Sequence, residues 1–180
     1  MKPFEVLTAG IEAYQRKDYT EAERLLSQAI VLYGSDEGGK RTANIYLGRL
    51  YKATSHEKRA IECFERGLPY PASFKGLISI YRELGKQSKK DGNYRQALAY
   101  FNRMLGLSKI WHHIYGQKKT GIDGQEVDKA TVFLQSLEET YGTIYVHDIK
   151  SSGPVPDDVL LSATDYKILH ELQIRVDQAS

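Results

Sequence analysis

Asn44 to Leu68 reads NIYLGRLYKATSHEKRAIECFERGL, and the placing of its small and large residues decides the fold. Leu47-Gly48-x-x-Tyr51 and, after a polar interruption, Ala60-x-x-x-Phe64 are each spaced for one face of a helix. Gly48 and Ala60 are small where two helices must approach closely. Leu47, Tyr51 and Phe64 stand about one turn away and fill the space between them. The segment is therefore expected to form two antiparallel helices joined by a tight turn. One such hairpin cannot bury its own apolar face, so further copies are expected in the same chain.

Two are present. Upstream, Ala9-Gly10-x-x-Ala13 is followed by Ala22-x-x-x-Leu26, with Asp18-Tyr19 in the turn between them. Downstream, Leu84-Gly85 is followed by Gly92-Asn93-Tyr94 and Ala97-x-x-x-Phe101. Gly10, Gly48 and Gly85 stand 38 and 37 residues apart, and Ala22, Ala60 and Ala97 repeat the same two intervals. From Pro3 to Leu107 this pattern resembles the tetratricopeptide repeat (TPR) or a variable-length relative of it, a family of helical hairpins with a period of about 34 residues. No tryptophan fills the first large position, where Val6, Asn44 and Tyr81 stand, and the closing proline is missing or displaced to Pro71. The excess over the usual period is expected in a loop over Gly34–Gly39, whose three glycines favour a turn, and in a lengthened helix from Pro71 to Asp91.

The resemblance implies an all-α fold, a right-handed α-solenoid of three TPR-like hairpins with a C-terminal helical extension. Residues 1–109 are read as the repeats, 110–142 as a capping helical region, and 143–180 as an extended linker with a C-terminal helix. Ile110–Tyr115 is either the end of the third pair or a short covering helix. Val127, Ala130, Leu134, Leu137 and Tyr141 recur at helical spacing over Glu126–Tyr141, with Asp123 as N-cap. Thr143–Ile149 is rich in β-branched and aromatic residues and is read as extended. A final helix is expected over Ser162–Val176, with Tyr166, Leu169, Leu172 and Val176 on one face.

The composition fits an ordinary soluble chain. At 180 residues, with 41% hydrophobic and 27% charged, there is material for a sizeable core or three to four helical pairs. A formal net charge of +2 is too small to point to nucleic acid, which calls for a basic excess gathered on one face. The single cysteine, Cys63, allows no intrachain disulfide. No apolar run reaches the roughly 18 residues a membrane span needs, nor does the first stretch suit a signal peptide, so no membrane partner and a cytoplasmic location are expected.

Motifs for chemistry are incomplete. Gly34–Thr42 nearly spells the phosphate-binding G-x-x-x-x-G-K-[ST], but Arg41 stands where the magnesium-binding hydroxyl belongs, and Asp36 and Glu37 would repel phosphate. His112 and His113 are adjacent and point in different directions on a helix, and with His147 and Asp148 they make no one-face metal set. Cys63 has no histidine at a recognisable family spacing and is read as a small core residue. No catalytic residue, cofactor or metal ligand is assigned, and the chain is expected not to be an enzyme.

In the family it resembles, the first helix of each pair lines a concave, partner-binding surface. The resemblance then implies groove residues Phe4, Leu7, Ile11 and Tyr14 on the first such helix, and Ile45, Arg49 and Lys52 on the second. On the third, Lys75, Arg82, Lys86 and Lys89 share one basic stripe. The partner would be a protein or peptide, helical or extended, with a hydrophobic end and an acidic end. The two-carboxylate clamp of chaperone-binding TPR domains is absent, since Leu7, Ile11 and Tyr46 stand where its lysine and asparagines would be, and Ser79 and Glu83 replace its later basic residues.

Such a chain would serve as an adaptor or scaffold. Two alternatives are self-assembly into a homo-oligomer and a groove blocked by the chain's own tail. The tail carries Asp148, Asp157, Asp158, Asp165, Glu171 and Asp177 against Lys150, Lys167 and Arg175 over 143–180, a net of −3, leaving +5 for the rest.

Overall fold

The computed structural model describes residues 2–115 and 161–179. Among them are seven helices and no strand: α1 Pro3–Gln15, α2 Tyr19–Tyr33, α3 Glu37–Ala53, α4 Glu57–Arg66, α5 Pro71–Lys90, α6 Tyr94–Tyr115 and α7 Ala163–Gln178. The helix expected over Glu126–Tyr141 and the extended stretch at Thr143–Ile149 lie outside the described residues. The chain forms two compact units, Met1–Leu77 and Ile78–Ser180, with the division inside α5.

The three short connections within helical pairs have one construction. Two positions beyond the end of each first helix stands a residue of positive φ, Lys17 at 63°, Ser55 at 58° and Gly92 at 79°. In each, the following N–H reaches back five residues to a carbonyl: Asp18 to Ala13 at 3.0 Å, His56 to Tyr51 at 2.8 Å, Asn93 to Ser88 at 2.8 Å. This satisfies carbonyls that the helix end would otherwise orphan. The same three residues then start the next helix, accepting from Ala22, Ala60 and Ala97 at 2.9 Å each. Asp18 adds a side-chain cap to the Glu21 N–H, whereas His56 adds none.

Close approach follows the register of the glycines and alanines. A Cβ built on Gly10 would lie 3.0 Å from Leu26, one on Gly48 2.9 Å from the Phe64 ring, and one on Gly85 2.7 Å from the Phe101 ring. In every pair the contacted side chain sits four residues beyond the buried alanine, Ala22, Ala60 or Ala97. These three residue sets are the ones that the sequence spacing aligned.

The first unit packs α1 on α2, α2 on α3 and α3 on α4, and α1 also meets α3. Its core contains Val6, Leu7, Leu25, Leu26, Leu47, Leu50 and Cys63, all buried. Phe64 is 1% exposed and is gripped from a second side by Gly76, where an added Cβ would fall 2.5 Å from the ring tip. In the second unit Tyr81 stacks on Tyr100 with centroids 6.0 Å apart, and Phe101, Met104, Leu107 and Ile110 are buried along α6. Leu172 of α7 is buried, and α7 packs on α6. Ile110–Tyr115 continues α6 without a break.

Gly34–Gly39 is not the loop expected from its glycines. Only Gly34–Asp36 connects the helices, and α3 begins at Glu37. Asp36 accepts from the Gly39 N–H at 3.1 Å, and Glu37 pairs with Lys40 at 2.9 Å, so a capped first turn forms despite the low helix propensity of glycine. The Tyr33 ring lies where a Cβ of Gly39 would be, which explains a glycine inside a helix. The extra residues of the first interval thus extend α3 at its start. The near-match to a phosphate loop is a helix N-terminus capped by its own aspartate. The lengthened third helix, expected over Pro71–Asp91, is α5.

Candidate partner-binding faces

On the first unit, α1 and α3 place a strip of aromatic, aliphatic and basic side chains side by side. Ile11 and Tyr14 of α1 and Tyr46 of α3 are half-buried. Tyr14 meets Tyr46 edge-on with centroids 5.9 Å apart, and Tyr19 lies 6.1 Å from Tyr14. The exposed Arg49 guanidinium stands 4.9 Å over the Tyr46 ring, a cation–π geometry that holds the arginine in place while leaving its N–H groups open to a partner. Phe4, 69% exposed, is on the same face of α1 as Ile11 and Tyr14 by helical spacing.

Two of the expected groove residues are corrected by burial. Leu7 and Ile45 are 5% and 7% exposed; Leu7 belongs to the first unit's core, and Ile45 lies against the backbone at Gly67. Their helical spacing matches the exposed face closely, and only the angle at which α1, α3 and α4 meet turns them inward. Lys52 is half-buried and Lys75 exposed. Tyr46 is not among the expected groove residues, although its position three residues before Arg49 was a readable signal for their pairing.

In the same unit, the Tyr51 hydroxyl donates to Glu23 at 2.7 Å, and Arg59 lies 5.5 Å over the ring. Burial, with this hydrogen bond, pushes the Tyr51 phenol up to about 12. Burial likewise pushes the Cys63 thiol up to about 11, which keeps it a thiol at neutral pH and a poor nucleophile. Among the described residues no group of three or more His, Cys, Asp or Glu is placed to hold a metal ion; His147 and Asp148 lie outside them.

On the second unit, the basic stripe is engaged by α7. Arg82 Nε and Nη2 donate to the Asp165 carboxylate at 3.0 and 2.9 Å, and Lys89 donates to Glu171 at 2.9 Å. Asp165 is 3% exposed. Its Oδ2 also accepts from the Ser162 backbone N–H and hydroxyl at 2.9 Å, closing a capping box at the start of α7. Burial opposes the Asp165 charge, but the Arg82 guanidinium and the Ser162 N–H outweigh it and hold the carboxyl below the usual range. Lys86 of the stripe is exposed. Arg175 of α7 lies 5.0 Å over Tyr94 beside a cavity of about 450 Å³ lined by residues from Gly92 to Gln96 and from α7.

No described helix is long and apolar enough to cross a membrane. Comparison with protein-family models, with curated proteins and with solved structures finds no match.

Proposed function

We propose that this chain is a non-catalytic adaptor that holds a partner protein or peptide, built on the plan of a right-handed TPR-like α-solenoid. The observation that carries the reading is the Tyr14–Tyr46–Arg49 strip with Ile11 and Phe4 beside it. Tyrosine and arginine are the side chains that most often anchor protein interfaces, because each offers large contact area with a polar handle. Here they are already oriented by each other, which lowers the entropy lost on binding. Three hairpins of one construction support the TPR-like plan, in which first helices form the binding surface.

The partner class is a protein segment with apolar residues toward Phe4 and Ile11 and a carboxylate for Arg49. Nucleic acid, membrane and cofactors have no part in this reading, and the site of action proposed is the cytoplasm. Site-specific photo-cross-linking in cells tests it: p-benzoylphenylalanine at Phe4 should capture a discrete protein, and the same group at the exposed Lys58 of α4 should not. Equal capture at both positions refutes the proposed face.

A second reading, self-association, rests on Val31 and Leu32 at the end of α2, which are 78% and 41% exposed. Sedimentation over a hundredfold concentration range tests it, since Val31→Glu should abolish any dimer formed through these residues.

A further inference from the structure

Arg82 and Lys89 stand about two turns apart on α5. Asp165 and Glu171 meet them in the same chain order, so α7 runs parallel to α5. The contact is charged as well as apolar. Within α7 Asp165 and Leu172 are buried and Tyr166, Ile168, Leu169 and Val176 are half-buried, while Ile174 is 43% exposed and Arg175 exposed. A helix held only by closing a core would fully bury a stripe roughly 100° wide. The Lys89–Glu171 pair remains open to water, its two side chains 31% and 43% exposed, and such pairs set orientation more than they add strength.

We propose that this face of the second unit is a docking site for an acidic amphipathic helix of a partner protein, and that α7 occupies it in the free chain as an intramolecular stand-in. The proposal rests on reading the chain as a protein-binding module and assigns it a second, gated face. The way α7 sits specifies the incoming helix. Its N-cap is a serine or similar residue, with a carboxylate three positions later that satisfies both the cap and the fork of Arg82. A second carboxylate six residues on meets Lys89, and a leucine follows it directly to fill the place of Leu172. A partner lacking the first carboxylate forgoes the paired hydrogen bonds that Arg82 Nε and Nη2 give to Asp165, which gives the face its selectivity.

The test uses full-length protein and a fluorescently labelled peptide of residues 160–180 as probe. In the native chain the attached α7 competes with the probe at high local concentration, so anisotropy should report weak binding. Asp165→Lys with Glu171→Lys should loosen the attached helix and tighten probe binding at least tenfold. Adding Arg82→Glu and Lys89→Glu rebuilds both pairs with reversed polarity, which should re-close the face and abolish probe binding. Probe binding no tighter in the double variant than in the native chain overturns the proposal, as does a double variant that has lost its helical circular dichroism, because α7 is then a fixed part of the core. The face probed lies wholly in the second unit. Failure of this test therefore leaves cross-linking at Phe4 unaffected, and failure at Phe4 leaves the probe result standing.

Discussion

Gly48→Ala is the most informative single change, because close packing and helix propensity predict opposite signs. In an exposed helix the substitution stabilises by about 1 kcal/mol. Here the new Cβ would lie 2.9–3.0 Å from three atoms of the Phe64 ring, against an ordinary carbon–carbon separation of about 3.5–4.0 Å. The ring has little room to retreat, since the Gly76 backbone also packs close to its tip, a Cβ built there falling 2.5–2.7 Å from it. Overpacking of this kind costs about 1–3 kcal/mol, so the net loss after the propensity gain is up to about 2 kcal/mol. For a chain of this length that is a fall in Tm of about 2–4 °C per kcal/mol.

The assay is urea unfolding followed by far-ultraviolet circular dichroism. Two variants complete it. Gly38→Ala, whose Cβ would meet nothing closer than 3.4 Å, should be neutral or stabilise by about 0.5 kcal/mol. In a Phe64→Leu background, the Gly48→Ala penalty should largely disappear, since the smaller side chain frees the space. A native-background Gly48→Ala protein more stable than the parent would refute the close approach of α3 and α4.

Other expectations follow from single contacts. Ser55→Gly should stabilise by about 0.5–1 kcal/mol and Gly92→Ala should destabilise by about 1 kcal/mol or more, because both residues hold the left-handed conformation; thermal melts of the two variants check the signs. Asp165 ionises below its ordinary value in the folded chain, so α7 docking should be intact above about pH 4, the ordinary aspartate value, and should be lost as pH falls through the lowered value. Amide exchange across Ala163–Gln178 reads this, and protection that does not fall as the pH is lowered below the ordinary aspartate value contradicts it. Tyr51 behaves with the opposite sign: its raised value makes its contribution complete below about pH 10 and lost on approaching pH 12. Absorbance at 295 nm should show a tyrosine titrating near pH 12 whose step is missing in Tyr51→Phe. Cys63 should react with a disulfide reagent only at the rate of unfolding, and immediate labelling of native protein would disagree.

The parts of the fold legible in the sequence are those set by local sterics. Gly10, Gly48 and Gly85, each twelve residues before Ala22, Ala60 and Ala97, mark where paired helices touch, and a missing Cβ leaves no freedom about where that contact falls. The start of α7 at Ser162 was legible for a similar reason, since an N-cap is a local hydrogen bond. Gly39 misled because glycine signals a loop through its own conformational freedom, whereas here its absent side chain serves Tyr33, a neighbour the local pattern does not announce.

The candidate site was legible in type more than in detail. Helical spacing puts Leu7 beside Phe4 and Ile45 beside Arg49, but whether such a residue faces a partner or the core depends on the crossing of whole helices, and both are buried. The basic stripe was evident from spacing, and the acidic balance of the tail from composition. That Arg82 and Lys89 select Asp165 and Glu171 is a tertiary fact, fixed by the packing of α7 on α6.

The most direct measurement of the central claim is the affinity of the protein captured at Phe4 for the native chain and for a Tyr46→Ala/Arg49→Glu variant, by isothermal titration, with circular dichroism confirming that both are folded. A weakening of at least tenfold in the variant is the predicted result, because it removes the ring and reverses the charge at the centre of the strip. Equal affinities would contradict the claim that this chain works by holding a partner on the α1–α3 face.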